Sequence, residues 1–224
     1  MTGRLNKKTI IVTGAGSGLG RASALKLAEE DAQVFCVDIN PETVKETSDI
    51  ITSRGGVAYH YQADMCSETE IIAMVTEAEK TYNGIDGLLA NAGIAGTGAA
   101  HETSLEDWDR LIKVSLTGKW LCAKHVIPHF IAKKSGNIVF QSSICALNGF
   151  PKLVAYTAAK GAIAAITRQM ASDYGEYNIR INAIAPGTIE TELVRETYKQ
   201  RLNDAKSDIT VDESLSQTAS RYPL

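Results

Sequence analysis

Short runs rich in β-branched residues alternate along the chain with longer stretches whose apolar positions recur at helical spacing. The runs Thr9 to Val12, Gln33 to Val37, Val57 to Tyr61, Gly87 to Ala90, Asn137 to Gln141 and Ile179 to Ile184 predict strands. Between them, Leu19 to Glu30, Pro41 to Ser53, Glu68 to Tyr82, Leu105 to Ala132 and Ala155 to Tyr174 predict helices. The last of these shows the spacing plainly in Ala155, Ala159, Ala162, Ile163 and Ile166. Strands alternating with helices call for a parallel sheet covered on both faces. Right-handed crossovers then give a doubly wound α/β sheet, with ligands at the carboxyl ends of its strands. No internal repeat, linker or low-complexity tract divides the 224 residues, so a single domain over 1–224 is expected.

Residues 190–221 change character, being polar and charged with weak helical spacing in Leu193, Val194 and Tyr198. Their place beyond a strand end favours a mobile lid over a substrate, the alternative being a solvated surface helix. At the other end, Arg4 and Lys7-Lys8 precede the apolar Thr9-Ile10-Ile11-Val12. Gly14, Gly16, Gly18 and Gly20 interrupt that run, which favours a buried strand feeding a glycine turn over a secretory signal.

Composition acts by exclusion. At 44% hydrophobic and 22% charged residues, the chain is ordinary for a globular domain. A net charge of −3 and a pI near 5.8 leave no electrostatic footprint for nucleic acid. No apolar run approaches the ~18 residues of a membrane span. Cys36, Cys66, Cys122 and Cys145 are scattered without a C-x-x-C pair, which favours reduced thiols in a cytoplasmic protein. His125 and His129 stand one turn apart, but Pro128 lies between them and no further ligands are evident nearby. Both read as ordinary helix histidines, and no metal is expected.

Two clusters carry chemistry. The run Thr13-Gly14-Ala15-Gly16-Ser17-Gly18-Leu19-Gly20 joins a predicted strand to a predicted helix. There glycines let the backbone approach a pyrophosphate, and the helix N-terminus offers it free N–H groups. Gly14, Ser17, Gly18, Leu19 and Gly20 are therefore candidate cofactor contacts. Asp38 ends the next strand, 18 residues beyond Gly20, and no Lys or Arg follows in Ile39-Asn40. A carboxylate there accepts the ribose hydroxyls of NAD and repels the 2′-phosphate of NADP, so NAD is expected over NADP. The alternative for Asp38 is a helix N-cap ahead of Pro41.

The second cluster is Ser143, Tyr156 and Lys160. Tyr156 and Lys160 share a helix face with Cβ atoms about 5–6 Å apart. A fixed ammonium beside a phenol is expected to lower its pKa from ~10 toward the working range. Alone, Tyr-x-x-x-Lys is weak evidence; the glycine turn upstream gives it weight.

These motifs, in order, resemble the short-chain dehydrogenase/reductase family from about Leu5 to Leu224. Thr13, Gly14, Gly18 and Gly20 match its T-G-x-x-x-G-x-G turn, and Asn91-Ala92-Gly93 its N-A-G motif. Asp64, with Met65 beside it, looks like the family's adenine-facing Asp. Ser143, Tyr156 and Lys160 look like its catalytic Ser and Y-x-x-x-K. Pro186-Gly187 matches its P-G motif, which points to Thr188, Ile189 and Thr191 near the nicotinamide carboxamide. The resemblance implies a Rossmann-like fold and hydride transfer between NAD(H) and a small secondary alcohol or ketone. Tyr156 would then exchange the proton, Ser143 hold the substrate oxygen and Lys160 bond the nicotinamide ribose. The substrate walls would be Ile94 to Ser104, Cys145 to Ala155 and the region after Thr188. They mix Leu147, Phe150 and Leu153 with Asn148, Lys152 and Arg195.

Two departures from the family stand out. Many members carry an Asn within V-N-L-x-G as part of a proton relay, where this chain has Val114-Ser115-Leu116-Thr117-Gly118. Ser115 either serves the relay through water, or turnover is slower, or position 115 merely packs the helix. Members also continue past a segment resembling Arg221-Tyr222-Pro223-Leu224 into another helix and a final strand that supports a tetramer. The helix pair of residues 105–132 and 155–174 leaves a homodimer available. Two rival functions follow. A 3-oxoacyl reductase would favour NADPH and a basic surface for an acidic carrier, which Asp38 and the acidic pI oppose. A nucleotide-binding protein with little catalysis would draw on Ser115 and the short C-terminus, which the intact Ser143, Tyr156 and Lys160 oppose.

Overall fold

A computed structural model describes residues 3–220; the Arg221–Leu224 segment lies outside the described residues. The chain runs β1 (Thr9–Thr13), α1 (Gly18–Glu29), β2 (Gln33–Asp38), α2 (Pro41–Ser53), β3 (Val57–Gln62), α3 (Glu68–Tyr82) and β4 (Gly87–Ala90). It continues through α4 (Leu105–Ile112), a π-helical turn (Lys113–Thr117), α5 (Gly118–Lys133), β5 (Gly136–Gln141), α6 (Val154–Tyr174) and β6 (Ile179–Ile184). Helices α7 (Glu192–Asp204) and α8 (Val211–Ala219) follow.

The six strands form one parallel sheet in the order β3-β2-β1-β4-β5-β6. Alternation along each strand feeds two cores. Ile11 and its ladder partner Phe35 pack with Met74, Val126 and Phe130 of α3 and α5. The next pair, Val12 and Cys36, packs with Ala24, Val44 and Ile51 of α1 and α2. β1 has β2 on one side and β4 on the other, so the connections leave it in opposite directions. That switch opens a crevice at the carboxyl ends of β1 and β4.

The predicted strands all form. One expectation needs correction. The helix expected over 105–132 is broken into α4 and α5 by the π-helical turn, because the extra residue turns Ser115 inward. There its hydroxyl accepts from the Ile94 N–H at 3.1 Å and donates to the Ile94 carbonyl at 3.3 Å. The N-cap of α2 is Asn40, not Asp38: the Asn40 amide oxygen accepts from Glu42 and Thr43 N–H at 3.0 and 3.2 Å. Pro41 takes the first helical position, where a missing N–H costs nothing. The segment after Thr188 is two helices, with α8 burying none of its residues. They are tied together by Tyr198 to Thr218 at 2.9 Å and Arg195 to Asp212 at 2.8 Å.

Candidate active site

A cleft of about 600 Å³ runs across the carboxyl ends of the central strands. At one end lies the glycine turn. Gly14 has φ +67°, and a Cβ there would come within 2.9 Å of Ala92 Cα; a Cβ on Gly20 would collide with the Gly14 carbonyl. The turn therefore tolerates only glycine at both places. Ser17 caps α1 through its backbone alone, and no acidic residue sits in the first turn. Those N–H groups face the cleft free of side-chain competitors, which suits a phosphate. Beside them, Asp38 accepts from Gly16 N–H at 2.8 Å and from Asn40 N–H at 3.1 Å, presenting a fixed carboxylate.

The two halves of the cleft are joined where β1 meets β4. Thr13 Oγ1 accepts from the N–H groups of Asn91 and Ala92, both at 3.1 Å. The Asn91 side chain donates back to the carbonyls of Thr13 and Gly14 at 3.0 and 3.2 Å. The N-A-G segment thus acts as a buckle between strands. Asp64 is turned onto its own loop, accepting from Cys66 N–H at 2.8 Å, with Met65 buried beside it.

At the far end Ser143, Tyr156 and Lys160 share the cleft. β5 and β6 fix the serine turn, because Ser142 N–H donates to Ile184 at 2.8 Å and Ile144 N–H to Pro186 at 3.0 Å. Ser143 Oγ accepts from Cys145 N–H at 3.2 Å. Ser142 Oγ bonds the Lys160 carbonyl at 2.9 Å, pinning α6 to that turn. Lys160 is 4% exposed, and its Nζ donates to the Gln141 carbonyl at 3.1 Å and lies 5.3 Å from the Tyr156 ring centroid. Burial lowers the Lys160 amine to about 8. The expected lowering of the Tyr156 phenol is not met in this structure. Burial raises its pKa, and the Ser143 hydroxyl only partly offsets that.

Of the residues picked from sequence, the turn glycines, Ser17, Leu19, Asp38, Asp64, Met65, Asn91 to Gly93, Pro186, Gly187, Ile189 and Thr191 all line this cleft. Thr188 and Ser115 do not; Ser115 lies fully buried behind it, engaged with Ile94. Among the expected substrate walls, Ile94 and Leu193 line the cleft, while Leu147 and Phe150 stand exposed on the loop outside it. That loop is bridged to the opposite wall at Gly98 and Leu153. Sequence reading missed Arg110 and Val114, which line the cleft, and Lys119, whose Nζ is buried against the Ala90 and Asn91 carbonyls. The one-turn spacing of Arg110 to Val114 and of Ser115 to Lys119 was the available signal. His125 and His129 instead meet Glu68 at 2.9 Å and Glu79 at 3.4 Å.

Residues 8–202 match the family described as short chain dehydrogenase. The chain belongs to that family. Among short-chain dehydrogenases it is 38% identical over 189 residues to the 2-(S)-hydroxypropyl-CoM dehydrogenase 3 of Xanthobacter autotrophicus, covering 84% of this chain and 74% of the relative. It is 34% identical over 197 residues to the cyclohexanol dehydrogenase of an Acinetobacter species, covering 88% and 78%. The crystal structure of an NAD+-bound xylitol dehydrogenase superposes with a TM-score of 0.85 at 33% identity, covering 89% of this chain and 78% of that one. This short-chain dehydrogenase is an oxidoreductase acting on CH–OH groups with a nicotinamide cofactor. The glycine cradle, the α1 N-terminus free of a side-chain cap, and Asp38 fit that cofactor. No helix among the described residues is long and apolar enough to cross a membrane.

Proposed function

We propose that this protein interconverts an uncharged, largely apolar secondary alcohol and its ketone, using NAD(H) in preference to NADP(H). The observation that carries the reading is a single cleft with the glycine cradle and Asp38 at one end and Ser143, Tyr156 and Lys160 at the other. The cofactor would be held by Gly14, Ser17, Gly18, Leu19 and Gly20 at its phosphates and by Asp38 at its ribose. Asp64 and Met65 would take the adenine. Asn91 to Gly93, Lys160, and Pro186 to Thr191 would face the nicotinamide side. When bound, the nicotinamide supplies or accepts the hydride.

Tyr156 moves the proton at the substrate oxygen, and Ser143 donates a hydrogen bond to that oxygen as charge develops on it. A phenol raised by burial is an acid at neutral pH, which suits ketone reduction. Oxidation requires its phenolate, which rising pH supplies. The preference for NAD rests on Asp38 and on the state of Arg21, which is tied to Glu46 at 2.6 Å and to the Thr43 carbonyl at 3.2 Å.

The rim supports an uncharged substrate. Lys152 is paired with Glu102 at 3.4 Å, and Arg195 with both Glu190 and Asp212, while Ile189 and Leu193 present exposed apolar surface. The substrates named for the cyclohexanol and levodione relatives are of this kind. Helices α7 and α8 serve as the lid, since they bury little and hold chiefly to each other. We read the whole chain as one cofactor-binding and catalytic unit, cytoplasmic because its four cysteines are free thiols. A homodimer would cover Leu105 and Trp120, which are exposed on α4 and α5. The test is a panel of neutral and anionic alcohols and ketones with NAD(H) and NADP(H). Turnover of neutral members with NAD(H) is expected. Cofactor binding without turnover across the panel, or preference for NADPH with acyl thioesters, would refute the reading.

A further inference from the structure

Ser115 and Lys119 stand one turn apart where the π-helical turn enters α5, and both engage the same stretch of backbone. Lys119 is 2% exposed, and its Nζ donates to the carbonyls of Ala90 at 2.7 Å and Asn91 at 2.9 Å. Ser115 takes both backbone groups of Ile94. Between these anchors lies Gly93, where a Cβ would sit 3.4 Å from Ser115 Oγ and 3.9 Å from Lys160 Nζ. The backbone of residues 90–94 is therefore the floor beneath the Lys160 amine.

Packing alone does not account for a lysine at this place. An apolar side chain would fill the core without bringing an amine out of water. No carboxylate among the described residues lies within ion-pair distance of Lys119. The titratable groups facing it are Lys160 from α6 and Cys122 from its own helix. Burial, with the Lys160 charge adding to it, holds the amine well below its ordinary pKa. In the neutral form its two N–H groups match the two carbonyls they meet.

We propose that Lys119 and Ser115 form a backbone clamp that fixes the floor under Lys160, making Lys119 a positioning residue for proton transfer at Tyr156. Lys119 touches neither substrate nor cofactor in this role. The inference rests on the function proposed above, and its test is chosen to fail separately. In the full chain, Lys119→Met is expected to keep the wild-type far-UV circular dichroism. Its NADH Kd and alcohol KM should stay within about threefold, while kcat falls at least about tenfold. Amide exchange at Asn91 to Ile94 should quicken at least about tenfold, whatever the substrate. An unchanged kcat, NADH binding lost in proportion to kcat, or unchanged exchange would overturn the clamp. Should Lys119→Met not fold, Ser115→Ala carries the same split, and an unchanged kcat or unchanged exchange there overturns it equally. Absence of turnover in the wild type would instead refute the functional reading, leaving the exchange measurement to decide the clamp.

Discussion

Replacing Lys160 by methionine separates what the lysine does to the fold from what it does in the reaction. Lys160 is 4% exposed, with the Gln141 carbonyl as the hydrogen-bond acceptor of its amine at 3.1 Å, and burial lowers the amine from 10.5 to about 8. That difference corresponds to about 3 kcal/mol of destabilisation at pH 7. Losing the bond to Gln141 removes about 1 kcal/mol in the other direction. Lys160→Met should therefore be about 2 kcal/mol more stable than wild type at pH 7 while losing activity. The sign of the pH dependence follows from the lowered value. Below about pH 8 folded and unfolded chains both carry the proton, and the whole penalty applies. Between about 8 and 10.5 the folded protein has released its proton and the unfolded chain has not, so wild-type stability climbs with pH relative to the variant. By pH ~10 about 1 kcal/mol of penalty remains and the advantage of the variant should be near zero. Urea denaturation of both proteins at the two pH values measures this directly. A stability difference that stays constant, or grows in favour of the variant as pH rises, would refute the reasoning.

Other outcomes follow from the same geometry. Tyr156→Phe should bind NADH within about threefold of wild type yet lose about 10²–10⁴ in kcat, read by stopped-flow absorbance; unchanged turnover would remove the phenol from its role. Asp38→Ala should cut the preference for NAD over NADP at least about tenfold in fluorescence titrations, because the fixed carboxylate beside Gly16 is gone; an unchanged preference would place discrimination elsewhere. Because burial raises the Tyr156 phenol, alcohol oxidation should rise with pH above neutrality while ketone reduction falls. Initial rates in both directions across the alkaline range check this, and parallel profiles would contradict it.

The strands and the glycine turn were legible because alternation and backbone sterics are local properties. Each side of β1 is declared by its own residues, as Ile11 and Val12 illustrate. What escaped sequence reading depends on three-dimensional surroundings. A π-helical turn adds a residue without disturbing apolar spacing enough to register, so 105–132 read as one helix. Asp38 and Asn40 are both competent caps in sequence, and only the placement of Gly16 N–H assigns them. The phenol pKa was misjudged because spacing places Lys160 near Tyr156 but does not report the burial that dominates both groups. Lys119 carries no signal of its burial in the sequence, since nothing local announces that its amine meets two strand-end carbonyls.

Hydride transfer itself is tested most directly by isotope tracing. A panel of neutral secondary alcohols bearing deuterium on the carbinol carbon would be incubated with NAD+ and the protein, and the cofactor recovered for mass spectrometry. Reduced cofactor carrying the deuterium, formed by the wild type and nearly absent with Tyr156→Phe, is the predicted result. Unlabelled reduced cofactor, or equal labelling by the two proteins, would contradict the account.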